Sequence, residues 1–296
     1  MRGSRGRAWP VRLAALLLVV TQAVAFAAPA AAETSPDFDP ALAAKLQAIL
    51  DRVRIERPIA GLAAVVTLAD GSRWEGGSGF GDAFDGSQLF SAHTPSVAGS
   101  ITKTFVAALI LQLVEEGKLH LDDRLDDWVP EKGFSPRVRI KHLLRHTSGI
   151  PDYFRHPDYN RLVFNRPTHV WSKAEVMSLI KTTLRFTPGH SWSYSNSGFF
   201  LLGLIAERAT HSTLGALLRQ RFFVPLGLDE TWLQGEHTLP TNSAKGYLWV
   251  NGRFKEYADG TSFRPHTSAA TVAWGAGNIL TTASDLSDWV RALYGG

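Results

Sequence analysis

The chain has 296 residues, 45% hydrophobic, 20% charged and 10% aromatic, with no cysteine. That is globular composition with length enough for a substantial core, and it excludes a disordered chain, a collagen-like fibre, a disulfide-stapled scaffold and thiol chemistry. The formal charge of +4 resides in residues 1–32, which hold Arg2, Arg5, Arg7 and Arg12 and no acid; the remainder carries 27 basic and 27 acidic side chains, so it offers no electrostatic footprint for nucleic acid.

Arg2 to Arg12, the apolar run that opens at Leu13, and Ala30-Ala31-Ala32 before Glu33 read together as a secretory signal peptide over 1–32. The apolar run is shorter than the roughly 20 residues a membrane span needs. Residues 33–296 are therefore expected as one exported domain, periplasmic or extracellular, with no stable membrane span after cleavage. Asp39 before Pro40 is an N-cap followed by proline at the first helical position. Leu42, Leu46, Ile49 and Val53 then recur at helical spacing, so the pattern predicts an amphipathic helix over 40–55. Residues 62–68, Asp70-Gly71 and residues 73–80 read as a β-hairpin. The glycines from Gly76 to Gly81 lack the Gly-x-Gly-x-x-Gly spacing of a phosphate cradle and suit a flexible strand or bulge. Helices are expected over 105–114, 140–145, 173–180 and 199–208. A last one, capped by Ala283-Ser284-Asp285, covers 285–294.

Ser-x-x-Lys occurs twice, at Ser100–Lys103 and Ser178–Lys181. Chance alone supplies about one such match in a chain of this composition, so context separates the copies. Ser100 follows Gly99 and opens an apolar helix, where its hydroxyl meets the positive end of the helix dipole. At i and i+3, Lys103 shares its face and can hydrogen-bond the Ser100 hydroxyl. A serine becomes nucleophilic when a nearby base takes its proton, and a lysine serves once desolvation lowers its pKa. Ser178 lies inside a helix without a cap and reads as a solvated face.

Tyr194-Ser195-Asn196 is a second candidate. In an extended loop, i and i+2 point the same way, so Tyr194 and Asn196 would line one side of a cleft. A phenol beside a lysine relays a proton, and a carboxamide orients both the lysine and a substrate amide. Trp192, on the same loop, is a candidate ligand contact. No Gly-x-Ser-x-Gly elbow occurs. His142 and His146, with Asp152 or His156, have spacing compatible with zinc. No His-Glu-x-x-His accompanies them, so neither a metal nor any other cofactor is expected.

The stretch Ser96-Val97-Ala98-Gly99-Ser100-Ile101-Thr102-Lys103 resembles the serine β-lactamase-related family, which holds class C β-lactamases, D-alanyl-D-alanine carboxypeptidases and penicillin-binding-protein-like esterases. So do Leu121-Asp122-Asp123 and the run from His142 to Tyr153, which contains His146-Thr147-Ser148-Gly149. Phe186-Thr187-Pro188-Gly189 with Tyr194-Ser195-Asn196, and Gly275-Ala276-Gly277-Asn278 leading into Thr282-Ala283-Ser284-Asp285-Leu286, extend the likeness to the chain's end. The resemblance implies an α/β (α+β) fold: an antiparallel sheet flanked by helices, a helical subdomain beside it, and the site between them. It also implies that Ser100 is acylated, Lys103 accepts or relays its proton, Tyr194 is the base and Asn196 orients the site. The Ser100 backbone N–H would supply half the oxyanion hole.

The sequence departs from the family at its third motif. No histidine is followed by x-Gly and no lysine by Thr-Gly. We therefore expect a C-terminally incomplete copy, without the later strands and helix of the fold. The expected function is an exported serine hydrolase acting on an amide or ester, whether a D-alanyl peptide, a β-lactam or a simple ester, with a small molecule or peptide as its partner. The alternative is a non-catalytic penicillin- or peptidoglycan-binding protein, or an inactive copy.

Overall fold

The computed structural model describes residues 33–86, 88–256 and 267–295, so the candidate signal peptide lies outside the described residues. After a two-residue strand β1 (Glu33–Thr34), helix α1 (Pro40–Glu56) begins where its cap requires: Asp39 accepts a hydrogen bond from the Ala41 N–H at 2.8 Å, and Pro40 fills the first helical position. The hairpin follows as β2 (Gly61–Thr67) and β3 (Arg73–Gly79), antiparallel, with Val66 opposite Trp74 and Ala64 opposite Gly76. Its turn is fixed by Asp70, which accepts from both the backbone N–H and the hydroxyl of Ser72. Leu62, Ala64 and Val66 alternate toward α1 and pack with Trp74 against Phe38, Leu46 and Leu50. The glycines of β3 have a packing reason: a Cβ on Gly77 would lie 2.0 Å from the Phe90 carbonyl oxygen, so only glycine lets that segment cross.

Beyond the hairpin come β4 (Ser96–Val97), a single 3₁₀ turn (Gly99–Ile101) and α2 (Thr102–Glu115). The helical region continues with α3 (Leu125–Trp128), α4 (Ile140–Leu144), α5 (Tyr159–Phe164) and α6 (Lys173–Leu179). It closes with α7 (Asn196–Thr210) and α8 (Leu214–Leu218). Every residue of α7 from Asn196 to Ala206 is buried, which explains why its sequence is apolar all round rather than striped. Against it lie Phe105, Val106, Leu109, Ile110 and Leu113 of α2, forming the main core.

The last third contains β5 (Trp232–Leu233), β6 (Tyr247–Val250), β7 (Arg253–Glu256), α9 (Thr267–Ala273), β8 (Ile279–Thr281) and α10 (Ala283–Tyr294). The side chain that caps α10 is Thr282, which accepts from the Asp285 N–H at 3.2 Å, one residue before the expected cap. Among the described residues the strands form three small antiparallel sheets rather than the single expected one: β1-β3-β2, β4-β8-β5 and the β6-β7 hairpin. The fold is mixed α/β. The hairpin of β2 and β3 sits between α1 and α10: Thr67 bonds Ser287, and the Arg73 guanidinium donates to Asp288 at 2.7 Å and to the Ser284 hydroxyl at 2.8 Å. Phe105 stacks on Trp289, centroids 3.9 Å apart, tying α10 to α2. No helix among the described residues is long and apolar enough to cross a membrane.

Candidate active site

Four segments far apart in sequence meet at Ser100. Pairing of β4 with β8, with Ser96 opposite Thr281 and Val97 opposite Leu280, fixes the approach to α2. The Ile279 N–H donates to the Thr102 hydroxyl at 3.0 Å and locks the start of α2 to β8. Gly99 has φ +54, a conformation that disfavours side chains, and it swings the chain so that the 3₁₀ turn presents Ser100 outward while Lys103 turns inward. Ser100 is exposed; Lys103 is only 7% exposed.

The Lys103 ammonium donates to the Ser100 hydroxyl at 3.1 Å, to Asn196 Oδ1 at 2.9 Å and to the Ala276 carbonyl. Its three protons have three acceptors. The faces of Tyr194 and Phe199, with centroids 5.0 and 5.6 Å from Nζ, complete the enclosure. Burial pushes the Lys103 pKa down to about 8, and the Asp152 carboxylate opposes that shift. The Tyr194 phenol donates to Ser100 Oγ at 2.8 Å, so the serine oxygen lies between a phenol and an amine.

Tyr194 reaches the serine and Asn196 the lysine, though not from one extended loop: Asn196 is the first residue of α7 and Tyr194 lies just before it. The Asn196 side-chain N–H₂ donates to both Asp152 oxygens, at 3.2 and 3.1 Å. His146, with φ 57, stacks on Tyr194 and accepts from the Ser195 N–H at 3.2 Å through Nδ1. Burial, and then the neighbouring Lys103, hold the His146 pKa below its usual value, so the imidazole stays neutral and keeps its acceptor. Sequence reasoning considered His146 and Asp152 only as metal ligands. The signal that they belong here was their position in the motif running from His142 to Tyr153. His142 turns elsewhere, accepting from the Arg139 N–H. Among the described residues no group of three His, Asp or Glu side chains is disposed to hold a metal ion.

A cavity of about 830 Å³ opens over the serine, with Ser100, Asn196 and Gly277 on its wall and Leu62, Phe90 and Tyr159 among its apolar lining. Trp192 is not among the residues lining it; at 64% exposure it stands edge-on to His146, centroids 6.1 Å apart. Ser178, of the second Ser-x-x-Lys, is exposed on α6 and donates to the Glu175 carbonyl of its own helix.

Residues 41–296 match the family model described as beta-lactamase. Penicillin-binding protein 4* of Bacillus subtilis (strain 168) is 31% identical over 204 residues, covering 66% of this chain and 44% of that protein. Esterase EstB of Burkholderia gladioli is 32% identical over 199 residues, covering 63% of this chain and 50% of the esterase. The chain thus spans about half the length of these curated relatives. Among solved structures, D-amino acid amidase of Ochrobactrum anthropi SV3, in complex with L-phenylalanine, superposes with a TM-score of 0.71 at 26% identity, over 86% of this chain and 70% of the amidase. With its family model matched from residue 41 onward, the chain belongs to the beta-lactamase family.

Proposed function

We propose that this chain is a serine hydrolase that forms an acyl-enzyme on Ser100. The observation that carries the reading is the seating of Ser100 Oγ within hydrogen-bond reach of both Lys103 Nζ and Tyr194 OH. In this scheme Ser100 Oγ attacks the carbonyl carbon of an amide or ester, and its proton passes to the Lys103–Tyr194 pair. The Ser100 N–H, in the 3₁₀ turn that leads into α2, donates to the developing oxyanion. Tyr194, the more exposed member of the pair, returns the proton to the leaving amine or alkoxide as the C–N or C–O bond breaks. Water then attacks the acyl carbon, gives its proton to the same pair, and the Ser100 oxygen recovers it. Asn196 orients the lysine throughout, and Trp192 flanks the site behind His146 as a candidate contact for the distal part of a substrate. No cofactor is required.

The names of the relatives, a penicillin-binding protein, an esterase and an amidase, support D-alanyl peptides, β-lactams and short esters as first substrates. The arginine-led leader supports export of residues 33–296 as one domain, which cell fractionation would test. Intact-mass measurement after exposure to a fluorescent penicillin and to a p-nitrophenyl ester tests the chemistry. A single adduct on the chain, absent from Ser100→Ala, is expected; an adduct retained by Ser100→Ala overturns the assignment. A second reading, a penicillin- or peptidoglycan-binding protein without turnover, draws on the name of the relative penicillin-binding protein 4*. An acyl group that stays on the protein for hours would favour it.

A further inference from the structure

Asp152 takes no proton in this scheme, yet it grips the residue that orients the lysine. Its carboxylate accepts from the Asn196 backbone N–H at 3.3 Å and from the Asn196 side-chain amide at 3.2 and 3.1 Å. The same Oδ1 accepts from the Phe154 N–H at 3.1 Å, which fixes the carboxylate within its own turn. A carboxamide has one donor end and one acceptor end, and an ionised carboxylate can only accept. Holding the donor end of Asn196 therefore forces its Oδ1 toward Lys103, where it is found at 2.9 Å. The reversed amide would set two oxygens against each other and point an N–H₂ at an ammonium.

Charge argues the same way. Lys103 is buried, and the groups around its head are Ser100, Tyr194, Asn196, the Ala276 carbonyl and the Phe199 and His146 rings, none of which is a carboxylate. Behind Asp152, a separate cavity of about 200 Å³ is lined by Arg155, His156, Lys181 and Arg185, with Asp152 as the acidic member of that wall. Asp152 thus stands between the lysine and a further group of basic side chains.

We propose that Asp152 is a positioning residue that locks the Asn196 amide toward Lys103 and supplies the negative charge balancing the buried ammonium. The proposal rests on the reading that Lys103 serves Ser100. Its test is the titration of Lys103 in the full chain carrying [ε-¹³C]lysine, the Lys103 signal being assigned by its loss in Lys103→Met, beside acylation by a p-nitrophenyl ester. Asp152→Asn is expected to move the Lys103 midpoint down by about 1 pH unit, to carry the acid limb of acylation with it, and to lower the plateau rate about tenfold. An unmoved midpoint in the folded variant overturns the proposal. If Asp152→Asn does not fold, Asp152→Glu keeps the charge and displaces the grip: the midpoint should hold while acylation falls, and unchanged acylation overturns the proposal. The titration needs no substrate. A wild-type chain that fails to acylate therefore overturns the hydrolase reading, and the midpoint still decides the effect of Asp152 on Lys103.

Discussion

The phenol ring of Tyr194 lies on the imidazole of His146, centroids 4.5 Å apart and planes 29° from parallel. The same imidazole accepts from the Ser195 N–H, so one neutral histidine fixes both the ring and the backbone that aim the phenol at Ser100. His146→Asn keeps a residue that tolerates positive φ and an acceptor for Ser195, but loses the ring. Such a stack contributes about 1 kcal/mol, so acylation should fall about fivefold. His146→Ala should fall further, since alanine is strained at φ 57 and leaves the Ser195 N–H without its partner. Equal acylation rates for the two variants would contradict this role.

Tyr194→Phe removes one oxygen and leaves the stack on His146 in place. Acylation should drop by about 10²–10⁴, as expected for loss of a group that transfers a proton in the transition state, with the melting temperature unchanged. Stopped-flow release of p-nitrophenol measures the first, and a thermal scan the second. A rate close to that of the wild type would remove Tyr194 from the proton path.

Lys103 gives a pH signature in both activity and stability. Its pKa is lowered from 10.5 to about 8 by burial, so acylation should rise with pH through about 8 as the amine loses its proton. For stability, the folded and unfolded chains both hold the proton below pH 8, where the cost of burying the charge is in force. Between pH 8 and 10.5 the folded chain has released the proton and the unfolded chain still binds it. This group therefore makes the fold more stable as pH rises across that window. Urea denaturation of the wild type and of Lys103→Met at several pH values isolates the term: the difference between them should grow in favour of the wild type from pH 8 to 10.5. A flat difference would mean that the lysine is not desolvated in solution.

Arg73 joins the N-terminal hairpin to α10 through Glu75, Asp288 and both the carbonyl and hydroxyl of Ser284. Its own side chain is 19% exposed and that of Glu75 10%, so removing Arg73 leaves a largely desolvated carboxylate to be held by His93 Nε2 at 2.9 Å and the Ser284 hydroxyl at 3.1 Å. Arg73→Met should destabilise the chain by about 3 kcal/mol in urea denaturation, and acylation per folded molecule should be preserved. A loss below 1 kcal/mol would show that His93 and Ser284 satisfy Glu75 without the guanidinium.

Much of this architecture was legible because local rules and global packing agree. Asp39-Pro40 marks the start of α1, Asp70-Gly71 marks the hairpin turn, and Ser100 to Lys103 opens α2. The strands β4, β5 and β8, of two or three residues, are too short to show an alternating pattern, and their existence depends on partners up to 185 positions away, as with Ser96 and Thr281. The β6-β7 hairpin was readable and passed over. Asn251-Gly252, both at positive φ, sits between Tyr247–Val250 and Arg253–Glu256, which is the strongest short-range hairpin signal a sequence offers. At the site, Ser100, Lys103, Tyr194 and Asn196 were found because each has a reactive or orienting group in a recognisable spacing. Asp152 and His146 act on those residues rather than on a substrate, and the metal-like spacing of the histidines drew attention from the bonds they make to Asn196 and Ser195.

The third proton of Lys103 is held by the main-chain oxygen of Ala276, at the end of the turn formed by Trp274, Gly275 and Ala276. That oxygen belongs to the main chain, and the residue has only a buried methyl to lose, so a scan that truncates side chains one by one would score the position as silent. What selection must preserve there is a trace through space: Gly277 N–H returning to the Trp274 carbonyl at 3.0 Å, and β8 beginning two residues later. Distant copies of this site need only small or well-packed residues that keep this path to cradle the amine, and a search for them should match the course of the backbone before the residues strung along it.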